Sequence, residues 1–477
     1  MEAGLLAERL TRRGTKRPST GIVHLGLGAF FRAFGCVYVA DAMQASGGDW
    51  GIVGVSLLNP DTRDALRPQD WAYTSVTLVP DGPQFRTINV LNNVLVAPEN
   101  PEAVLVAMAN PTVKIVSLTV TEKGYCHNPA IGALNFDHPD IIHDLSHNLP
   151  RSAPGYLVRA LQRRRLAGVA PFTVLTCDNL PNNGPLVRNV VLDLARRVDP
   201  QLADWIAAEG RFPTTMVDRI TPATTDVDIA TVELLTGYHD AAPVMHEPFS
   251  QWAVQDDFVN GERPDLAAAG AQLVDNVTAF EDMKLRMLNG THSALAYLGY
   301  LSGHETIYDT IADPVFAAYV RQCWSEIIPA LDAPDGVSLT AYADALFDRY
   351  ANPAIRHRTW QIAMDGSQKL PQRLLGTLRE NLAAGRDSPA LCLAVAGWMR
   401  YVAGTDEAGA PIDVRDPLAD LLRDRVTDTP ARTVAALLAV PQVFPADLAT
   451  HLAGPVTHAA ALLWSKGARA AAQQVTS

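Results

Sequence analysis

The chain predicts an α/β fold in two parts: a Rossmann-type dinucleotide-binding domain with extra strands over residues 1–280, then a mainly α-helical domain over residues 281–477. Three observations carry this. Residues 21–34 read as a buried strand that turns through Gly26 and Gly28 into a helix. That geometry lets the backbone approach a pyrophosphate at a helix N-terminus. Short apolar runs alternating with helical patterns recur as far as Phe280, as strands and crossover helices of such a sheet do. After Lys284 the texture changes to alanine- and leucine-rich helical segments, broken by turns such as Asp313-Pro314 and Asp416-Pro417, with no strand pattern and no repeat.

Bulk properties narrow the class. At 477 residues the chain exceeds one ordinary core, and 48% hydrophobic with 19% charged residues is the balance of a folded globular protein. A net charge of −12 argues against a nucleic-acid or anionic-membrane partner. No uncharged apolar run approaches the roughly 18 residues a membrane span needs. The five cysteines are scattered, odd in number and without a CxxC pair, which points to free thiols in a reducing compartment. Residues 1–13 carry charges through their short apolar stretch, unlike a signal peptide, so the expected location is the cytoplasm.

Along the chain, the glycine turn departs from G-x-G-x-x-G in having Phe31 at its third glycine position. A second strand over residues 51–58 ends near Asn59-Pro60-Asp61. An acidic side chain there suits the adenosine ribose hydroxyls and repels a 2′-phosphate, favouring NAD over NADP; Asp61 equally suits a helix cap. Residues 71–93 alternate, predicting antiparallel strands inserted into or edging the sheet. Residues 114–121 form another buried strand ending in Glu122-Lys123-Gly124-Tyr125. Functional residues gather at such strand ends, so Glu122 is a candidate. His127, His138, His143 and His147 follow, with His143 and His147 four apart, but they lack a zinc signature such as H-E-x-x-H, and no metal is expected. A basic helix over 154–167 leads to a strand over 172–177, which ends in Asp178-Asn179-Leu180-Pro181. The Asn179 amide at that strand end can stand over a nicotinamide or a substrate oxygen; the plain alternative is a turn with a helix cap. In Met216-Val217-Asp218-Arg219 a polar pair sits between apolar residues, and an Asp–Arg ion pair is its simplest reading.

The stretch at residues 280–295 carries the chemistry. On a helix Asn289 and His292 are three apart and share a face, with Lys284 about one and a half turns earlier. Met283, Leu285, Met287 and Leu288 make the surroundings apolar, which disfavours an ammonium ion and moves a lysine toward use as a base. Asn289 can donate to an oxygen carrying developing negative charge, and His292 can hold a hydroxyl. Gly290 leaves room for a close approach to the backbone. The competing reading is a polar edge on an ordinary helix.

Taken in order, Gly26-Leu27-Gly28-Ala29-Phe30 with Arg32-Ala33, Thr121-Glu122-Lys123-Gly124-Tyr125-Cys126, Cys177-Asp178-Asn179-Leu180-Pro181, Met216 to Pro222, the K-x-x-x-x-N-G-x-H beginning at Lys284, and Asp365-Gly366-Ser367-Gln368-Lys369 resemble the polyol-specific long-chain dehydrogenases, the mannitol dehydrogenase family. The resemblance spans nearly the whole chain. It implies metal-independent, NAD-dependent oxidation of D-mannitol to D-fructose, or of related polyols to ketoses. Lys284 would be the catalytic base, Asn179 and Asn289 would bind the substrate oxygen, and His292 would orient the substrate. Asp218 would lie near the lysine and Glu281 on a proton path to solvent, with Lys369 at the substrate. Gly26, Gly28, Ala29, Phe30, Arg32, Asp61 and Glu122 make up the expected cofactor set. Family members often have histidines where this chain has Phe31 and Phe34. Uronate reductases and a D-arabinitol dehydrogenase activity belong to the same family, and Gln368-Lys369-Leu370-Pro371-Gln372-Arg373 is similar to some of the uronate enzymes; a uronate carboxylate would want an arginine such as Arg373 or Arg400. The expected substrate is the neutral polyol, and the expected state is a monomer, because a helical half can close over its own site.

Overall fold

The computed structural model describes residues 7–128 and 131–476; the start of the 1–13 segment and two residues of the histidine-bearing stretch lie outside these. The chain divides into two compact units, Met1–Thr278 and Ala279–Ser477.

In the first unit the strands longer than two residues are β1 (Thr20–Leu25), β2 (Gly51–Ser56), β3 (Tyr73–Thr77), β4 (Gln84–Ile88), β5 (Leu91–Val96), β6 (Ile115–Leu118), β7 (Thr173–Thr176), β8 (Thr215–Asp218), β9 (Val244–His246), β10 (Gln251–Gln255) and β11 (Gln272–Val274). Its helices used below are α1 (Ala29–Ala33), α2 (Gly35–Ser46), α3 (Asp61–Leu66), α4 (Pro101–Ala109), α5 (Thr121–Gly124), α6 (Pro139–Ser146), α7 (Ala153–Leu166) and α8 (Asn183–Val198). Five strands form one parallel sheet in the order β7-β6-β1-β2-β5. The chain runs outward from β1 to β2 and β5, then returns to the other side of β1 for β6, so a crevice opens at the strand ends between β1 and β6.

The strand residues explain why both faces are covered. Val23, Val53, Val116 and Val174 enter one buried cluster with residues of α4, α7 and α8. Their neighbours Ile22, Ile52, Ile115 and Leu175 enter a second cluster with Phe31, Phe34, Tyr38 and Trp252. A strand alternates its side chains between faces, and here both faces are apolar, as a parallel sheet flanked by other layers requires.

The 71–93 segment is only partly the expected insertion. β3 and β4 pair antiparallel, and β9 joins β3 on its other side. β5, which follows directly, instead pairs parallel with β2 in the main sheet. β5 is an edge strand of that sheet, and its Asn92 amide donates to Pro18 O and Thr20 Oγ1, so the polar residue is paired.

In the second unit, no strand follows Val274 among the described residues, apart from isolated bridges. The helices used below are α9 (Thr278–Met283), α10 (Thr291–Leu301), α11 (Leu339–Tyr350) and α12 (Pro389–Val402). Helices α10 and α12 are buried on nearly every side, the mark of helices at the centre of a bundle. Between α9 and α10 the chain does not continue as one α-helix: Lys284–Gly290 is a π-helical turn. A second π turn, Pro371–Leu375, packs against it.

Candidate active site

In the first unit a cleft of about 1060 Å³ opens at the ends of β1, β2, β5 and β6. Gly26 and Gly28 line it for different reasons. Gly26 has φ +88°, and a Cβ there would run into the Thr119 carbonyl group, so only glycine fits. Gly28 has φ −108° and is exposed; a Cβ there would meet nothing nearer than Gly26 O at 3.9 Å. Its missing side chain therefore leaves free space on the cleft side, the room a bound pyrophosphate needs.

The residues after the turn go elsewhere. Phe31 is stacked on the buried His24 ring, with centroids 3.3 Å apart. Phe34 packs against Phe30, Tyr38 and Trp252. Both phenylalanines thus stand in the core. His24 bonds Ser117 Oγ and Thr119 Oγ1, each at 2.9 Å, and burial pushes its pKa down to about 3. Ala29 and Phe30 pack on the same core. Arg32, expected at the cofactor, is not among the residues lining the cleft. It is buried, donates to Ala242 O at 2.5 Å and lies over the Tyr73 ring, because the helical turn carries position 32 toward the β3 side.

At the β2 end, Ser56, Leu57, Leu58, Asn59 and Thr62 line the cleft. Asp61 is exposed in the first turn of α3, where an acid complements the helix dipole, and its N–H meets Asn59 Oδ1 at 3.3 Å. At the β6 end Thr121 has a left-handed backbone, φ +62°, which costs a β-branched residue about 1–3 kcal/mol. Asp178, just past β7, offsets that cost. Its carboxylate accepts Val120 N at 2.9 Å, Thr121 N at 3.0 Å and the Tyr125 hydroxyl at 2.7 Å. Burial raises the Asp178 pKa against those three bonds. This clamp fixes α5, in which Glu122 is exposed between Thr121 and Lys123, both of which line the cleft. Sequence reasoning passed over Asp178; the available signal was an acid at a strand end, next to the residue it did single out.

Asn179 is exposed. Asn183, four residues on, is buried and exchanges bonds with Thr215, tying the start of α8 to β8. Asp218 is buried at the end of β8. Arg219 does not pair with it as the plain reading held: the guanidinium donates to Ala33 O at 2.6 Å and Phe249 O at 3.1 Å. His143 and His147 stack in parallel, 4.1 Å apart. The adjacent Asp144 is occupied in holding Arg151 N and Ser152 at the start of α7. Among the described residues, no group of three or more metal-ligating side chains is gathered.

In the second unit Lys284 opens the π turn, 8% exposed, and His292 begins α10, 7% exposed. Residues five apart on an α-helix stand about 140° apart around the axis, whereas i→i+5 bonding brings them together. The π turn thus draws Asn289 toward the side of Lys284. Long-range side chains satisfy the carbonyls at its end. Trp324 Nε1 donates to Met287 O at 3.1 Å, the Tyr350 hydroxyl to Leu288 O at 2.9 Å, and Arg373 Nη1 to Asn289 O at 3.4 Å. Arg286 forms a two-pronged pair with Glu380 that pins the outer side. Gly290 is required where the second π turn touches the first, since a Cβ would stand 2.8 Å from Arg373 O.

Around His292 the field is positive. Its ring stacks on Tyr350 at 5.4 Å and meets His357 edge-on at 4.6 Å. Burial, then His357, Arg373, Arg349 and Lys369, hold its pKa well below the ordinary histidine value. A neutral imidazole offers one donor and one acceptor, which suits a hydroxyl. Glu281 lies partly exposed in α9.

Relatives share this architecture. Residues 20–268 match the mannitol dehydrogenase Rossmann domain and residues 276–464 the mannitol dehydrogenase C-terminal domain. The chain is 46% identical over 464 residues to an Escherichia coli D-mannonate oxidoreductase, covering 95% of each. To a Phaeosphaeria nodorum mannitol 2-dehydrogenase it is 41% identical over 445 residues, 92% of this chain and 77% of that one. The solved Pseudomonas fluorescens mannitol 2-dehydrogenase, a ternary complex with NAD and D-mannitol, superposes with a TM-score of 0.84 at 35% identity, over 98% of this chain and 99% of that one. With a parallel sheet ending in a glycine turn and a helical unit built around Lys284, Asn289 and His292, this chain is an oxidoreductase of the mannitol dehydrogenase family.

Proposed function

We propose that the protein is an NAD-dependent dehydrogenase that interconverts a secondary alcohol of an open-chain polyhydroxy compound with the corresponding ketone. The observation that carries this reading is the π turn that begins at the buried Lys284 and includes Asn289, with the buried His292 in the first turn of the helix that follows. NAD, when bound along the Gly26–Gly28 turn, supplies the hydride acceptor. Lys284 Nζ takes the proton from the substrate hydroxyl in oxidation and returns it in reduction. The Asn289 amide donates to the same oxygen, which favours alkoxide character over the neutral hydroxyl. Neutral His292 holds a neighbouring hydroxyl and orients the chain. The exposed Asp61 and the uncharged cleft residues Ser56, Leu57, Leu58, Asn59 and Thr62 at the β2 end favour NAD over NADP. D-Mannitol to D-fructose is the neutral form of this reaction.

The test is NADH formation with D-mannitol, glucitol, arabinitol and D-mannonate, run beside Lys284→Ala. Turnover on one of these compounds, lost in the variant, is expected. Nucleotide binding without turnover on any of them would leave a dinucleotide-binding protein of another kind.

A further inference from the structure

Resting on that reading only where it places NAD along the glycine turn, we infer that His24 is a positioning residue for the dinucleotide. Its ring holds the Thr119 hydroxyl on the Gly26 carbonyl, so that this oxygen is already engaged when a pyrophosphate arrives. β1 is the central strand of the parallel sheet, and His24 is the one ionisable residue in it. The side chain is fully buried, two residues before Gly26. A polar ring in that place is tolerated only when its nitrogens are paired. Packing fixes the ring plane. Phe31 stacks on it with 5° between the planes. Gly35 makes room behind Phe31, since a Cβ there would stand 2.2 Å from the phenyl ring.

Hydrogen bonds fix the tautomer. His24 faces Ser117 across the β1–β6 ladder, with Ser117 Oγ 2.9 Å from Nδ1 and Thr119 Oγ1 2.9 Å from Nε2. Thr119 Oγ1 also lies 2.9 Å from Gly26 O. Burial keeps the ring uncharged, so it carries a single proton. With that proton on Nε2, three donors make three bonds: Ser117 Oγ–H to Nδ1, Nε2–H to Thr119 Oγ1, and Thr119 Oγ1–H to Gly26 O. With it on Nδ1, the one Thr119 proton must serve either the ring or Gly26 O, and a bond is lost. An unmade bond is costly where water cannot replace it, so the Nε2–H form is the one held. A ring that only tied β1 to β6 would need Ser117 alone; the second bond goes to Thr119, which lines the cleft. Gly26 O is in turn the atom nearest, at 3.9 Å, to the space a Gly28 side chain would fill. A free carbonyl beside that space presents the negative end of its dipole to a pyrophosphate, whereas one bonded to Thr119 has that charge offset.

The experiment is a double-mutant cycle in the full chain, read as NADH affinity by fluorescence titration, with urea unfolding without ligand beside it. His24→Leu, which keeps an apolar surface for Phe31 but no donor, should weaken NADH binding about tenfold, as should Thr119→Val. The double variant should bind no more weakly than Thr119→Val alone, because the ring acts through the hydroxyl. His24→Gln, whose amide can donate from a similar place, should recover part of the loss. Neutron diffraction from the wild-type protein needs no variant and should show the ring deuteron on Nε2. A deuteron on Nδ1, wild-type NADH affinity in a folded His24→Leu or Thr119→Val, or losses that simply add in the double variant each overturns the inference while leaving the cofactor reading intact. Wild-type protein that does not bind NADH overturns that reading, and the inference with it.

Discussion

Two glycines two residues apart should fail in opposite ways when given a methyl group. At Gly26 the backbone is left-handed, φ +88°, which costs an L-residue roughly 1–2 kcal/mol. The new Cβ would also stand 2.9 Å from the Thr119 carbonyl carbon and 3.2 Å from Val120 Cγ1. Backbone must move to relieve that overlap, at about 1–3 kcal/mol for an overpacked site. Gly26→Ala should thus lose roughly 2–5 kcal/mol in stability. At Gly28 φ is −108°, the nearest atom lies 3.9 Å away, and the unfolded chain loses entropy, so Gly28→Ala should be neutral or slightly stabilising. Its methyl, however, occupies cleft space, and NADH affinity should drop at least about tenfold, a loss of roughly 1.4 kcal/mol. Urea unfolding without ligand and fluorescence titration with NADH separate the two effects. A Gly28→Ala protein that bound NADH like wild type, or a Gly26→Ala protein of undiminished stability, would refute this division of labour.

Other outcomes follow from the same contacts. Lys284→Ala should abolish turnover with little change in NADH affinity, measured by steady-state kinetics beside the same titration; near-normal turnover would make the π turn a polar edge. Asp178→Ala removes three bonds to a charged group and releases the strained Thr121. A loss of about 3 kcal/mol in chemical unfolding and weaker NADH binding are expected. Asp61→Ser should relax the preference for NAD, read as the ratio of kcat/KM with the two cofactors. His24, His246 and His357 have folded-state pKa values near 3, 4 and 4. The unfolded chain therefore accepts protons that the fold refuses. Stability is intact above pH 6.5 and falls as pH drops toward 4, by about 2 kcal/mol per histidine at pH 5. A stability flat between pH 7 and 5 would show these imidazoles to be hydrated.

Some of this molecule is written locally. The parallel sheet is legible because Ile22-Val23, Ile52-Val53 and Ile115-Val116 supply apolar residues to both faces, and a strand buried on both sides needs little else. The glycine turn is legible for the same reason: a left-handed residue packed on a carbonyl admits only glycine. Lys284, Asn289 and His292 stand out through their spacing within an apolar run. Their disposition does not, because the π turn depends on Trp324, Tyr350 and Arg373, which lie 37, 62 and 84 residues from the carbonyls they satisfy. The same distance in sequence hides other features. Asp178 holds Val120 and Thr121 from 58 and 57 residues away, Arg32 finds Ala242 O from 210, and β5 takes a place beside β2 rather than in the hairpin before it. Composition does not tell Arg373 from Arg400; packing puts the first against Gly290 and the second over the Trp464 ring. Strand pattern and backbone conformation are local energies, written residue by residue, whereas the direction and partner of a charged side chain are settled by whichever distant acceptor the folded chain brings within 3 Å or so.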